Sequence, residues 1–442
     1  MRSRRFLTLG VILIVLGVPA LTLRALCVGR SCAAADEPHT PVPFCSLPDE
    51  VREAISTGFY EGRSGDILAV TGSSVVTTDE HPWPSARVEP PRVPIVFWGA
   101  GIEPGAQIGG TPGLEDIAPT IAMALDFVRP HPDVRAGEPI AGVVAEPEEI
   151  RLVLEIVWEG IGTRELDEGG GSWPNLMRLF DTGAGVHDAE TGSLPTDPAA
   201  ALTTIGTGGF PYQHGMTTGL VRNDHGRPVR PWGPGTPSSV IATLPDHLEE
   251  SFRLDPVIGV VGADVIARGL IGGMWGIEDR DLVKLLPRPS SSAERSAEAV
   301  RLLRTSMLGK DEIPDVLGVV MDDDLGALDR SLPRVIAAAE RASGGRVLVV
   351  VAGTGNADFD DDVEVMTGTD LIEFIDDRVP GPGRLIEAVT PGGLFLDAAE
   401  LRRRDVYDDV VLKPLLELRS ESGPRVFADA FPAAAVTFGR FC

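Results

Sequence analysis

Short apolar runs alternate along this chain with amphipathic stretches, and that alternation constrains the fold more than any other feature. The runs fall at 66–70, 93–98, 152–158, 257–261, 316–321 and 347–352. They are rich in Val, Ile and Leu and mostly apolar at consecutive positions, as strands covered on both faces are. Helical spacing lies between them, at 116–127, 244–253, 293–307 and 332–342. Strands alternating with helices predict an α/β fold, layered α/β/α, with a mainly parallel central sheet. In such sheets sites form beyond the carboxyl ends of the strands, so the residues just after each run are the first place to look for chemistry.

The first 35 residues are of a different kind. Arg2, Arg4 and Arg5 precede an apolar stretch that starts at Phe6, and Ala33-Ala34-Ala35 follows. Charged, apolar and small-residue regions in that order predict a secretory signal peptide over 1–35, with an uncleaved N-terminal anchor as the alternative. Ser3-Arg4-Arg5-Phe6-Leu7 also loosely resembles a twin-arginine signal. The expected location is secreted, periplasmic or cell-surface, with membrane contact only through this segment if it is retained. Residues 36–44 are polar and Pro-rich and are expected to be a linker, with a single domain over 45–442.

The formal net charge is −26, and because residues 1–35 hold five arginines and no acid, the remainder carries −31. That charge repels phosphate backbones and anionic membrane surfaces and argues against nucleic acid as a partner. Of four cysteines, Cys27 and Cys32 lie in the leader. Cys45 and Cys442 remain, one near each end, and in an oxidising compartment such a pair is a disulfide candidate. The acidic run 358–362 reads as a solvated loop. His187, His214 and His225 sit in polar, Gly-rich surroundings and read as exposed loop histidines.

Two stretches resemble the alkaline phosphatase superfamily, in particular its phosphodiesterase and nucleotide pyrophosphatase branch. The first is Arg92-Val93-Pro94-Ile95-Val96-Phe97-Trp98-Gly99-Ala100-Gly101-Ile102 with Asp116-Ile117-Ala118-Pro119-Thr120, similar to a segment of the family's C-terminal part. The second begins with the strand ending in Glu159-Gly160, where the family has Asp-Gly. It continues through Trp173-Pro174-Asn175-Leu176-Met177-Arg178-Leu179, Thr196-Asp197-Pro198, Thr207-Gly208 and Pro211-Tyr212-Gln213-His214-Gly215, which resemble the segment around the family's nucleophile. The order is reversed, so the resemblance implies a circular permutation: 45–145 corresponds to the family's C-terminal segment and 150–442 to the remainder. It also implies that the two chain ends meet, which supports a bond between Cys45 and Cys442.

Carried over position by position, the resemblance makes Thr196 the catalytic nucleophile and Glu159, Asp323 and His81 metal ligands. Independently of the family, Asp197 is suited to cap a helix beginning at Pro198, which places Thr196 beside a helix N-terminus where a dianion is favoured. Other expected ligands are replaced: Ala327 stands for a His, and Ala352-Gly353-Thr354-Gly355 for the family's A-D-H-G. The implied cofactor is zinc or another divalent cation. The substitutions predict that the paired-zinc arrangement is not kept, leaving a single metal or an oxygen-bound cation at Asp322–Asp324 as alternatives. Two functions are consistent with this. One is a metal-dependent phosphoester or phosphodiester hydrolase with altered ligands. The other is an inactive relative that binds a phosphorylated small molecule or an envelope component. A phosphotransferase acting on envelope polymers is a third reading.

Overall fold

Residues 42–71, 75–77, 90–106, 108–145, 148–273, 280–356, 365–421, 423, 425–439 and 442 are described by the computed structural model. His81, the leader and the acidic run 358–362 lie outside the described residues. The central sheet has seven strands: β1 (Arg92–Gly99), β2 (Leu152–Trp158), β3 (Ala184–Glu190), β4 (Ile258–Gly262), β5 (Leu282–Leu285), β6 (Asp315–Met321) and β7 (Val347–Gly353), in the spatial order β3-β1-β7-β2-β6-β4-β5. β2, with every position buried, is paired in parallel with β6 and β7. β4 and β5 continue the parallel set, and only β1 runs antiparallel to its neighbours.

Helices that contribute to the cores on the two faces of this sheet include α1 (Ile117–Ala124), α2 (Pro174–Thr182), α3 (Pro198–Thr207), α4 (Leu244–Ser251), α5 (Ser292–Thr305) and α6 (Leu325–Ser343). Alternation along β2 sends Val153 and Val157 to one core with Ile117, Ile121, Leu202 and Ile205. Leu154, Ile156 and Trp158 go to the other, with Leu179, Leu302 and Val335. Both faces are thus covered, which is why the strands read as apolar runs. All ten residues of α3 are buried, as its all-round apolar and small composition requires. From Pro41 onward the chain forms one compact unit, and β1 and β2, on either side of residue 145, lie in one sheet with β7 between them.

The run expected at 66–70 is a strand, Ile67–Thr71, but it does not join the parallel sheet. It lies in a four-stranded antiparallel sheet with Ile386–Thr390, Gly393–Leu396 and Phe427–Pro432. Ile67 and Ala69 face one small core and Leu68 and Val70 another, so this strand too is covered on both sides. Burial on both faces, which the sequence records, does not distinguish the two sheet types. The expected linker 36–44 ends on a core residue: Phe44 is buried edge-on against Phe431, with ring centroids 5.3 Å apart. Beside it Cys45 and Cys442 form a disulfide with Cα atoms 5.4 Å apart.

The helix expected from 332 starts at Leu325, because Asp324 caps it by accepting from the Ala327 amide, so Pro333 lies inside rather than at its start. A helix-interior proline leaves the carbonyl four residues earlier without its donor. Asn175 supplies that donor, its Nδ2 reaching the Asp329 carbonyl oxygen at 3.2 Å. The Asp329 carboxylate answers by accepting from the Asn175 and Leu176 amides, at 3.2 and 2.8 Å, at the start of α2. The Pro174-Asn175-Leu176 motif therefore joins α2 to α6.

Candidate functional site

The carboxyl ends of β2, β6 and β7 carry the residues where chemistry was expected. Glu159 follows β2 and is almost wholly buried. Its Oε2 accepts from Arg288 Nη2 at 2.8 Å, while Arg288 Nε donates to Asp322 Oδ2 at 2.5 Å. The other oxygen of Asp322 pairs with Arg295, which rises from the first turns of α5 and is fully buried. Burial disfavours the Arg288 charge, but Glu159 and Asp322 outweigh it and raise its pKa above the ordinary guanidinium value. Two guanidinium groups and two carboxylates thus form a compensated lattice at the strand ends.

Asp323, the expected ligand, bonds to the start of α5. Its Oδ2 accepts from the Ser292 amide at 3.1 Å and the Ser292 hydroxyl at 2.9 Å, at the start of α5. Burial works to raise the pKa of this carboxyl, and the Ser292 hydrogen bonds hold it below the usual value. Asp322, rather than Asp323, shares a cation with Glu159. With Asp324 capping α6, each of the three successive carboxylates has a protein partner. Thr354 accepts from the Gly160 amide at 3.0 Å and donates its own amide to the Trp158 carbonyl. It ties the β7 end to the β2 end. Among the described residues, no group of three or more His, Cys, Asp or Glu could hold a metal ion. Of the expected ligands, Glu159 is engaged by Arg288 and Asp323 by Ser292.

Thr196 lies just ahead of α3. Asp197 Oδ1 accepts from the Ala199 amide at 2.8 Å, capping α3 with Pro198 in its first turn. Asp197 Oδ2 also accepts from the Gly219 amide at 3.1 Å. The Thr196 hydroxyl is buried and has no hydrogen-bond partner in the protein.

The histidines depart from expectation. His214 is fully buried, with Nε2 3.1 Å from the Thr204 hydroxyl and Nδ1 accepting from the Met216 amide at 3.0 Å. Desolvation and, secondarily, the Arg63 charge push its pKa down to about 3, so it is a neutral brace between α3 and the following turn. His187 lies in strand β3, not a loop, with Nδ1 3.2 Å from Asp188. It lines a cleft of about 610 Å³ with Arg92 and Thr111. His225 is exposed as expected.

The residues missed in the sequence are Arg288 and Arg295; Asp322 was expected only as part of a cation site with Asp323 and Asp324, not as an arginine partner. A signal was present: Ser291-x-x-Glu294 is a capping-box pattern that opens α5 directly after Arg288. It fixes the helix start, and so places Arg295 in the first turns, facing the strand ends.

No known protein family matches the chain, and no curated protein does. Among solved structures it is similar to a wild-type alkaline phosphatase PafA, at 14% identity over 62% of this chain and 77% of that one, with a TM-score of 0.47. It is also similar to a phosphonoacetate hydrolase from Sinorhizobium meliloti in complex with phosphonoacetate, at 15% identity over 64% and 80%, with a TM-score of 0.37. Likenesses this distant assign no chemistry; that rests on this chain's own residues.

Proposed function

We propose that this chain is an exported, circularly permuted relative of the alkaline phosphatase superfamily whose metal pair has been replaced by an arginine–carboxylate lattice. On this reading it is a non-catalytic protein outside the cytoplasm that binds a phosphorylated small molecule or envelope component. The observation that carries the reading is Arg288, which takes the cation's place between Glu159 and Asp322. A guanidinium neutralises these carboxylates but supplies neither a Lewis acid nor a metal-bound nucleophile. The motifs around Trp98, Asn175 and Thr196 support the family, and the bonded chain ends support the permuted order.

One observation favours the second reading, a hydrolase with altered ligands. The Thr196 hydroxyl is free of protein partners beside the first turn of α3, where a dianion is stabilised. Metal content of the purified protein and turnover of an aryl phosphate monoester and diester decide between the two. The proposal expects no stoichiometric metal and negligible turnover with added zinc. Zinc-dependent turnover abolished by Thr196→Ala would overturn it in favour of the hydrolase.

A further inference from the structure

Among the described residues, many buried or half-buried arginines have carboxylate partners. Arg295 pairs with Asp322, Arg268 with Asp281 at 3.1 Å, Arg404 with Glu400 at 2.6 Å and Arg222 with Asp66. Arg129 and Arg135 do not follow this pattern. Arg129 Nε points at His247 Nδ1, 3.4 Å away, and its Nη2 reaches the Ala242 carbonyl oxygen at 3.5 Å. Arg135 Nη1 donates to the carbonyls of Pro130 and His131 at 3.0 and 2.9 Å, and its Nη2 lies 3.1 Å from His247 Nε2. The nearby acid Asp246 is occupied by the Thr243 amide and hydroxyl and the Gly273 amide.

This arrangement is short of acceptors. A neutral imidazole has one accepting nitrogen, and a protonated one has none. With arginine N–H groups against both ring nitrogens of buried His247, at least one meets another donor instead of an acceptor. Arg135 Nε is also buried without a partner. Burial and the Arg135 charge lower the pKa of Arg129 to about 9 against the opposing pull of Asp246, and burial lowers that of Arg135 to about 10. His131 adds a further basic group nearby. Gly208, the residue that caps the far end of α3, leaves room for the cluster: a Cβ there would lie 3.1 Å from Arg129 Nη1.

We propose that Arg129, Arg135 and His247 form a binding site for a tetrahedral oxyanion, a phosphate or sulfate group, either free or at the end of an ester. Such a group accepts several N–H bonds at once and supplies a direct anionic partner to two arginines whose hydrogen-bond partners are carbonyls and an imidazole. The site is separate from Thr196: the two lie at opposite ends of α3, whose ten residues span about 15 Å.

The test is titration of the full chain with inorganic phosphate, sulfate, glycerol phosphate and acetate by calorimetry. In parallel, the His247 ring and the arginine Nε–H resonances are followed by NMR. Saturable binding of phosphate or sulfate, weaker for acetate, is expected to perturb those resonances. Glycerol phosphate binding as well as free phosphate would mark the site as open to esters, and failing to bind would mark it as specific for the free ion. Arg129→Gln or Arg135→Gln should weaken binding about 10-fold or more, while Arg301→Gln, an exposed arginine of α5, leaves it unchanged. No saturable binding by the wild type, or binding without change at His247, would overturn the proposal whether or not the variants fold. Undiminished affinity in folded Arg135→Gln would do the same. Loss of binding in Thr196→Val alone would place the anion at the other end of α3, against this inference and in keeping with the function proposed above.

Discussion

Arg288 Nη2 donates to Glu159 Oε2 across 2.8 Å, joining residues 129 positions apart in the chain. Glu159 is the more buried of the two, so removing the arginine strands a carboxylate that water reaches poorly. Arg288→Ala should lower stability by about 2–4 kcal/mol, short of the full cost of breaking a buried pair because Arg288 is about a third exposed. The variant should also gain a response that the wild type lacks. With the guanidinium gone, a divalent cation added during thermal unfolding is expected to raise the midpoint of Arg288→Ala and leave the wild type unmoved.

Glu155 sits in the middle of β2, wholly buried, with Oε2 lacking a partner. Desolvation pushes its pKa up to about 8. The folded protein therefore holds this proton across a window in which the unfolded chain, titrating near pH 4.3, has lost it. The unfolded state binds fewer protons there, so the Glu155 contribution to stability falls as pH rises from about 4.3 to 8 and then levels off. Glu155→Gln, which mimics the protonated form, should match the wild type near pH 4 and exceed it by up to about 5 kcal/mol above pH 8. Urea titrations of both proteins across that range test it. A difference that does not change with pH would mean Glu155 has no raised pKa. Glu115, whose pKa burial also raises to about 8, is common to both proteins and drops out of the comparison.

The bond between Cys45 and Cys442 closes a loop across a sequence separation of 397. On the chain-entropy account a loop of that size is worth about 5–6 kcal/mol, an upper figure because residual structure in the unfolded chain reduces it. Reductant should lower the thermal midpoint of the wild type toward that of Cys45→Ala. The variant itself should not respond.

The parallel sheet was legible because β2, β6 and β7 are buried on both faces and their residues say so. Ile67–Thr71 misled for the same reason, since the two small cores that cover it come from the chain's ends and a window of sequence cannot see them. Asp197 was readable as a cap because a cap is local: Asp, then Pro, then small residues. Arg288 was not, because its role depends on two acids at the ends of strands far away in the chain. His214 looked solvent-exposed among glycines and polar residues, yet Thr204 and the Met216 amide satisfy both ring nitrogens and allow it to be buried neutral. Local pattern reveals secondary structure and caps. Ion pairs between distant segments appear only once the sheet order is known.

Thr196 and Asp197 are neighbours, and their replacement should have opposite consequences. The Thr196 hydroxyl is buried without a protein partner, so Thr196→Val removes an unsatisfied polar group and keeps the shape. Stability should hold or rise by up to about 1 kcal/mol. Asp197 caps α3 through the Ala199 amide and holds the Gly219 amide, and α3 is buried along its length. Asp197→Ala uncovers both donors where water does not reach them and should cost about 2–4 kcal/mol. Measuring the two side by side separates the site from the scaffold. If Thr196→Val instead destabilises the protein by as much as Asp197→Ala, the hydroxyl has a structural partner, and its freedom to meet a phosphate beside α3 is lost.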